Sequence, residues 1–446
     1  MHHVSIFYCG YVTISSVFCR LVVTPGTGRE LRLLDAPGHR DYVPRLLAGL
    51  PLADAALLVI PASVGEYEAS MGPNAQTREH ATLLKASGVG HVVIVVNKMD
   101  STAPAFSSER FATIVADLGR YLLEELHFTH DQLHFVPVSA FAGENLCALS
   151  QNCPMASWWK PGSNYSGLTL VQTLEGLVAP HFAGYYESMR ALVASPPANL
   201  PTHGSSGAGS GSVEVYLRIC RGRLRVGSSV GIASSARAVN GGVVRCVVKK
   251  IVCLKQDSGR GGGGGSKIDC NIVYAGQFAL AYLQATGLSA AAGSDSGSSL
   301  SKGAAQDLLV QAGGAVGTVI MKGPGLEGCR PHMHFRCMVR TLPQLASPII
   351  PGSSFAFHTH GCTRDISCVV RRLCAIVTPG AATSDSQQGG IKCVPAGQLA
   401  VVELVTSDPM VLEPISGPQY YHGNSRFVLR HKGQTVATGV CERHLE

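Results

Sequence analysis

Three short stretches hold residues whose types and spacing can do chemistry: Asp35-Ala-Pro-Gly38, Asn97-Lys-Met-Asp100 and Ser139-Ala140. An aspartate at the carboxyl end of a parallel strand can hold the shell of a magnesium ion, and a glycine beside it lets its own N–H approach a phosphate. The Asp100 carboxylate can accept two hydrogen bonds, from the N1 and N2 donors of guanine, while the Lys98 stem lies along the base plane and Asn97 ties neighbouring loops together. A backbone N–H at Ser139-Ala140 can meet the guanine O6. Each stretch alone also reads as an ordinary turn, because Asp, Asn, Pro and Gly are turn residues. Their order and placement carry the argument.

Each stretch follows a short apolar run. Leu31-Arg-Leu-Leu34 precedes Asp35, His91-Val-Val-Ile-Val-Val96 precedes Asn97, and Phe135-Val-Pro-Val138 precedes Ser139, with Ala55-Ala-Leu-Leu-Val-Ile60 between the first two. Such runs, alternating with helical periodicity, predict parallel strands in an α/β doubly wound domain. Phe111, Ile114, Val115, Leu118, Tyr121 and Leu122 recur at helical spacing behind Ser107-Ser108, which predicts a helix with one buried stripe. Three motifs in this order, each where a parallel strand runs out, predict a guanine-nucleotide fold.

After residue 187 the texture changes to short alternating segments rich in Val and Cys, the pattern of two all-β barrels. The expected division is a GTP-binding domain over 1–187, a second domain over 188–305 and a third over 306–446. Ser195-Pro-Pro197 marks the first linker. Gly/Ser-rich tracts over 203–212, 258–266, 289–305 and 380–390 read as loops on barrel turns.

Asp35-Ala-Pro-Gly-His-Arg-Asp-Tyr-Val-Pro44, Gly65-Glu-Tyr-Glu68, Gln76-Thr-Arg-Glu-His80 and Asn97-Lys-Met-Asp100 together resemble the eukaryotic elongation factor 1-alpha superfamily, and the likeness extends into both β domains, through Ser425 to Val440. The resemblance implies GTP hydrolysis on the ribosome in the cytoplasm, with magnesium as the cofactor carried with GTP. It implies that His39 positions the attacking water, that Asp35 holds magnesium through water, and that the Gly38 N–H touches the γ-phosphate. Thr13, in Gly10-Tyr-Val-Thr-Ile14, resembles the switch threonine that ligates magnesium. Asn97, Lys98, Asp100, Ser139 and Ala140 would read the base. Within the superfamily the likeness is to the Hbs-type ribosome-rescue factor that partners Pelota, carried by Ser139-Ala-Phe-Ala-Gly-Glu-Asn-Leu146, Trp158-Trp-Lys160, Gly167 to Gln172 and Arg371-Arg-Leu373. His358-Thr-His-Gly-Cys362 resembles release factor three instead, which leaves translation termination, with a release-factor-type partner, as an alternative. An aminoacyl-tRNA carrier and a sulfate-activating relative of the elongation factors are further alternatives. Neither DNA nor a membrane is an implied partner.

One part of such a site is missing from the sequence: no G-x-x-x-x-G-K-[ST] occurs in the 446 residues, and 34 residues precede Asp35. The expectation is that the first strand, phosphate loop and first helix are absent, leaving apolar edges on the neighbouring strands. Either the chain is an amino-terminally truncated product or it is a nucleotide-independent binding factor; the joint presence of Asp35, His39 and the base-reading motif favours truncation. In either case the chain as written is expected to be inactive as a GTPase.

Composition limits the remaining classes. Apolar residues make up 46% and charged residues 15%, which is globular rather than disordered. Lys and Arg (36) against Asp and Glu (29) leave +7, a mild basic excess compatible with touching RNA or the ribosome but a weak signal for it. The fifteen cysteines are odd in number and contain no C-x-x-C pair, so neither a disulfide framework nor a zinc ribbon is indicated. Val4 to Cys19 reads as strand rather than as a targeting segment, because no Lys or Arg precedes it. His358, His360 and Cys362 share one face of a barrel strand without a fourth ligand, and Cys362, Cys368 and Cys374 read as small core hydrophobes. Arg218, Arg221, Arg223 and Arg225 form the densest basic cluster, read as a solvated barrel edge, with an RNA contact as the alternative.

Overall fold

A computed structural model describes residues 3–9, 20–23, 30–36, 46–47, 50–72, 75–177, 189–194, 212–233, 243–256, 265–289, 319–321, 331–359, 366–377, 391–415 and 425–445. The chain divides into two compact units, 1–46 with 53–180, and 47–52 with 181–446.

The first unit is built on a six-stranded sheet of order β2-β3-β1-β4-β5-β6. Its strands are β1 (His3–Cys9), β2 (Arg20–Val23), β3 (Glu30–Ala36), β4 (Ala55–Pro61), β5 (His91–Asn97) and β6 (Leu133–Pro137). All neighbours are parallel except β2 with β3. In β5, Val92 to Val96 are all buried, which is why this strand is a continuous apolar run with no alternation. The described helices of the unit are α1 (Glu66–Ser70), α2 (Gln76–Ser87), α3 (Ser108–Arg120) and α4 (Leu170–Gly176). Ser107 caps α3 by accepting the Arg110 N–H, and Phe111, Ile114 and Leu118 form its buried stripe, continued beyond its end by Tyr121 and Leu122.

The centre of this sheet differs from the sequence expectation. The place between β3 and β4 is taken by β1, which runs parallel to both: Phe7 lies opposite Leu34 on one side and Ala56 on the other. The edges expected to be open are therefore paired.

The second unit holds two β modules. The strands of the first are β7 (Arg190–Val193), β8 (Val213–Arg221), β9 (Arg223–Arg225), β10 (Ser229–Ala233), β11 (Val243–Gln256), β12 (Gly265–Cys270), β13 (Ile272–Tyr274), β14 (Phe278–Ser289) and β15 (Val319–Met321). The order β10-β15-β7-β8-β14-β11, with β10 also pairing β11, closes a six-stranded ring, to which β12 is added along β11. Val319–Met321 joins β7 and β10, so this module extends beyond the expected boundary at 305. Strand β12 begins at Gly265, inside a tract read as loop, because its backbone continues the ladder of β11. Arg218 corrects the reading of the basic cluster. It is fully buried, with its guanidinium 5.7 Å from the Phe278 ring centroid, on the face of β8 opposite to the core residues Val215, Leu217 and Ile219.

The second module is a closed barrel, β16-β19-β18-β17-β20-β21, made of β16 (His332–Thr341), β17 (Ser354–Thr359), β18 (Ile366–Val377), β19 (Leu399–Met410), β20 (Arg426–His431) and β21 (Gln434–His444). Phe335, Phe357, Leu404, Phe427 and Leu429 fill it, together with the thiols of Cys337, Cys368 and Cys441. His358 is buried, and His360 and Cys362 lie outside the described residues. Among the described residues no cluster of His, Cys, Asp and Glu could hold a metal, and no helix is long and apolar enough to cross a membrane.

Candidate functional site

The carboxyl ends of β5 and β6 bring two of the three motifs together. Beyond β5 the chain turns sharply, with Lys98 in the left-handed region at φ 63, and Met99 buried beneath the turn. Asn97 Oδ1 accepts two backbone N–H groups, Lys98 N at 2.7 Å and Ala140 N at 2.9 Å, and so fastens the loop after β6 to the turn after β5. Ser139 Oγ donates a short hydrogen bond to Asp100 Oδ1, and Ser101 Oγ donates to Asp100 Oδ2 at 3.1 Å. The bond from Ser139 holds the Asp100 carboxyl below the usual carboxylate range, so it is an ionised acceptor at neutral pH. Each carboxylate oxygen keeps lone pairs beyond these bonds, enough for a ligand edge carrying two adjacent N–H donors.

The donors expected for the guanine O6 are not free. Ser139 N–H donates to Glu144 O at 3.1 Å within a local antiparallel bridge, and Ala140 N–H is the one bound to Asn97 Oδ1. A base carbonyl would reach Ala140 N–H by sharing or displacing that contact.

Sequence reasoning gave no role to Asn145, which locks this loop. Its side chain is buried and donates to Pro137 O at 2.7 Å, its N–H donates to Ala148 O at 2.8 Å, and its carbonyl accepts Leu170 N at the start of α4. A buried Asn with φ 60 uses the tolerance of this residue type for the left-handed region. Farther along, Trp158, Trp159 and Tyr165 pack with Phe111 of α3, ring centroids 5.3–6.1 Å apart, and each indole N–H is bound to a carbonyl.

Lys98 Nζ is paired with both carboxylate oxygens of Glu66, at 2.7 and 3.0 Å. Lys98 and Glu66, with Val59, Ile60, Pro61, Ala69 and Asn97, line a cavity of about 350 Å³ at the ends of β4 and β5. Sequence reasoning also missed Glu66. The one signal for it was its membership of Gly65-Glu-Tyr-Glu68.

The third motif is described only in part. Asp35 is the penultimate residue of β3, opposite Tyr8 of β1, at the carboxyl end of a parallel strand. Gly38, His39 and Thr13 lie outside the described residues. Of the two residues expected to hold magnesium, then, the structure places the Asp35 backbone. Their oxygen donors are of the hard type this ion takes.

A largely parallel sheet carrying a polar cluster at its strand ends, followed by two six-stranded β modules, is the fold of a GTPase domain followed by two barrels. Residues 10–178 match the family model described as elongation factor Tu GTP binding domain, and residues 334–442 match that described as GTP-eEF1A C-terminal domain-like. Elongation factor 1-alpha of Staphylothermus marinus is 45% identical over 148 residues, which are 33% of this chain and 32% of that protein. The same factor of Ignicoccus hospitalis is 37% identical over 213 residues, 46% of this chain and 44% of that protein. The GTPase-like domain of Saccharomyces cerevisiae Ski7, solved bound to GTP, superposes with a TM-score of 0.63 at 16% identity, covering 95% of this chain and 82% of that one, which is a likeness of fold. Over these two matched segments the chain is similar to translational GTPases of the elongation factor Tu/eEF1A type. It spans between about a third and under a half of the length of the curated relatives it matches.

Proposed function

We propose that the chain is a ribosome-directed factor that recognises guanine nucleotides through the base and acts in the rescue of stalled ribosomes with a Pelota-type partner. The observation that carries the guanine reading is the mutual fastening of Asn97, Ala140, Asp100 and Ser139, which aims an ionised carboxylate from the end of a parallel sheet. The partner is supported by the stretches Ser139 to Leu146 and Gly167 to Gln172, whose residues Asn145 and Leu170 are hydrogen-bonded to each other. When magnesium and GTP are bound, Asp35 and Thr13 would hold the ion, which neutralises phosphate charge. His39 would orient water, and Gly38 would offer its N–H.

No phosphate-loop motif occurs in the sequence, so recognition rests on the base. Each charge-assisted hydrogen bond to phosphate contributes ~1.5–3 kcal/mol, and without them GMP, GDP and GTP should bind within about threefold of one another, weakly, and GTP should not be turned over. Calorimetric titration of the three nucleotides measures this; saturation by GTP in the low micromolar range would overturn base-dominated binding. For the partner, pull-down should favour a Pelota-type factor over a class I release factor, the reverse preference moving the assignment to termination. Failure to co-sediment with ribosomes would remove both and leave the sulfate-activating class.

A further inference from the structure

We propose that Glu66 is a positioning residue for Lys98: its carboxylate fixes the lysine ammonium, so that the methylene stem stands as a preformed wall of the guanine site. The inference deepens the guanine-binding reading above and rests on it.

Lys98 and Glu66 are about half exposed, at 49% and 51%, so their pairing adds little stability by itself. What it can supply is order. A lysine stem has four rotatable bonds, and a flexible stem must lose that freedom each time a flat base is laid against it. Here both ends of the stem are already held. The backbone is pinned in the left-handed conformation with its N–H on Asn97 Oδ1, and the ammonium is held by both oxygens of Glu66.

For Glu66 to serve as an anchor it must itself be fixed, and α1 is bolted to α3 on its other side. Arg110 of α3 donates to Glu68 Oε1 at 2.9 Å, to Ala62 O at 2.8 Å and to Ser63 O at 3.3 Å. Tyr67 OH donates to Asp117 Oδ2 at 2.8 Å. Glu68 Oε2 also accepts the Gly65 N–H at 2.6 Å, closing the turn that leads into α1. Glu66 points from this fixed segment in the other direction, to Lys98, and that contact keeps its carboxyl below the ordinary carboxylate range. The strand carrying the base-reading turn joins the same frame, since Ala62 N–H donates to Asn97 O at 2.7 Å.

The test is a double-substitution cycle on the full chain, with GDP as the probe and calorimetry as the readout. At about 0.1 M salt, Glu66→Gln should weaken GDP binding about fivefold and Lys98→Met about tenfold, and the double variant should match Lys98→Met alone. Raising the salt to about 1 M should bring wild type and Glu66→Gln together, because an exposed pair is screened. Unchanged affinity in Glu66→Gln, or an equal loss in the Lys98→Met background, overturns the proposal while the guanine reading stands. If the wild-type chain does not bind GDP at millimolar concentration, the guanine reading fails first and takes this inference with it.

Discussion

The corner proposed to read the base and the carboxy-terminal barrel use opposite means to hold their shapes. In the corner, polar groups far apart in sequence fasten one another: Asn97 to Ala140, Asp100 to Ser139, Lys98 to Glu66, most of them partly open to solvent. In the barrel, aromatic and aliphatic side chains close over a core in which even the sulfur groups are neutral, burial pushing the Cys368 thiol up to about 12 and the Cys337 thiol well above its ordinary value. The contrast separates two quantities. Substitutions in the corner should change what binds and leave unfolding nearly alone; substitutions in the barrel should do the reverse.

The largest effect expected is on selectivity in the corner. A site built to pair with two donors rejects a ligand lacking them by up to ~10⁴-fold. Asp100→Asn should therefore lose guanine nucleotides and gain relative affinity for the xanthine analogue, whose edge offers an acceptor, with a melting temperature close to wild type. A competition titration measures the ratio, and an unchanged preference would show that Asp100 is not the base reader.

The barrel counterpart is Phe357→Ala. Phe357 is fully buried and stacked on Phe427 at 4.7 Å between centroids, and its truncation should cost about 3–5 kcal/mol in denaturant unfolding without altering nucleotide preference. Gly439→Ala sharpens the point. A Cβ there would collide with the Phe427 ring, and overpacking of this kind costs about 1–3 kcal/mol. Loss of nucleotide selectivity in either variant would break the separation.

A pH dependence should sit on the stability side even though its residue lies in the first unit. His80 of α2 is buried, and burial brings its pKa down from 6.5 to about 4. The folded state therefore binds fewer protons than the unfolded chain between these values. Its penalty is absent above about pH 6.5, grows as pH falls, and saturates below about pH 4 at roughly 3 kcal/mol. Urea unfolding at pH 7 and pH 5 measures it, and His80→Gln should flatten the difference.

How much of this was legible in the sequence depended on distance along the chain. Asn97, Lys98 and Asp100 lie within one turn, and Ser139-Ala140 lies just beyond the end of the next parallel strand, so their convergence follows from strand order. Glu66 could not be read in the same way, because its approach to Lys98 depends on how α1 is bolted to α3. The pairing of β1 at the centre of the sheet was also hidden, since a parallel register leaves no local turn signal. Val319–Met321 is three residues of strand beyond a Gly/Ser-rich tract, too short to show a period. Arg218 was misread because charge on a strand ordinarily means solvent.

The smallest effect discriminates most finely within the corner itself. Ser139 is fully buried, its hydroxyl donates to Asp100 and also accepts the Ala142 N–H at 3.2 Å, and it lies in the loop opposite the turn that carries Asp100. Ser139→Ala removes a charge-assisted bond from the carboxylate, so guanine affinity should fall by about five- to tenfold, the equivalent of about 1–1.4 kcal/mol. Its signature lies in pH rather than in magnitude alone. The lost bond is the main reason the Asp100 carboxyl titrates low, so in the variant that carboxyl returns toward its ordinary range. Base recognition requires the ionised form and is lost as pH falls through the carboxyl's pKa. The acid limb of binding should therefore move to higher pH in Ser139→Ala, while Asn145→Ala, which loosens the same loop without touching the carboxylate, should weaken binding with its limb unmoved. Identical limbs in wild type and Ser139→Ala would mean that the serine only shapes the loop and does not tune the aspartate.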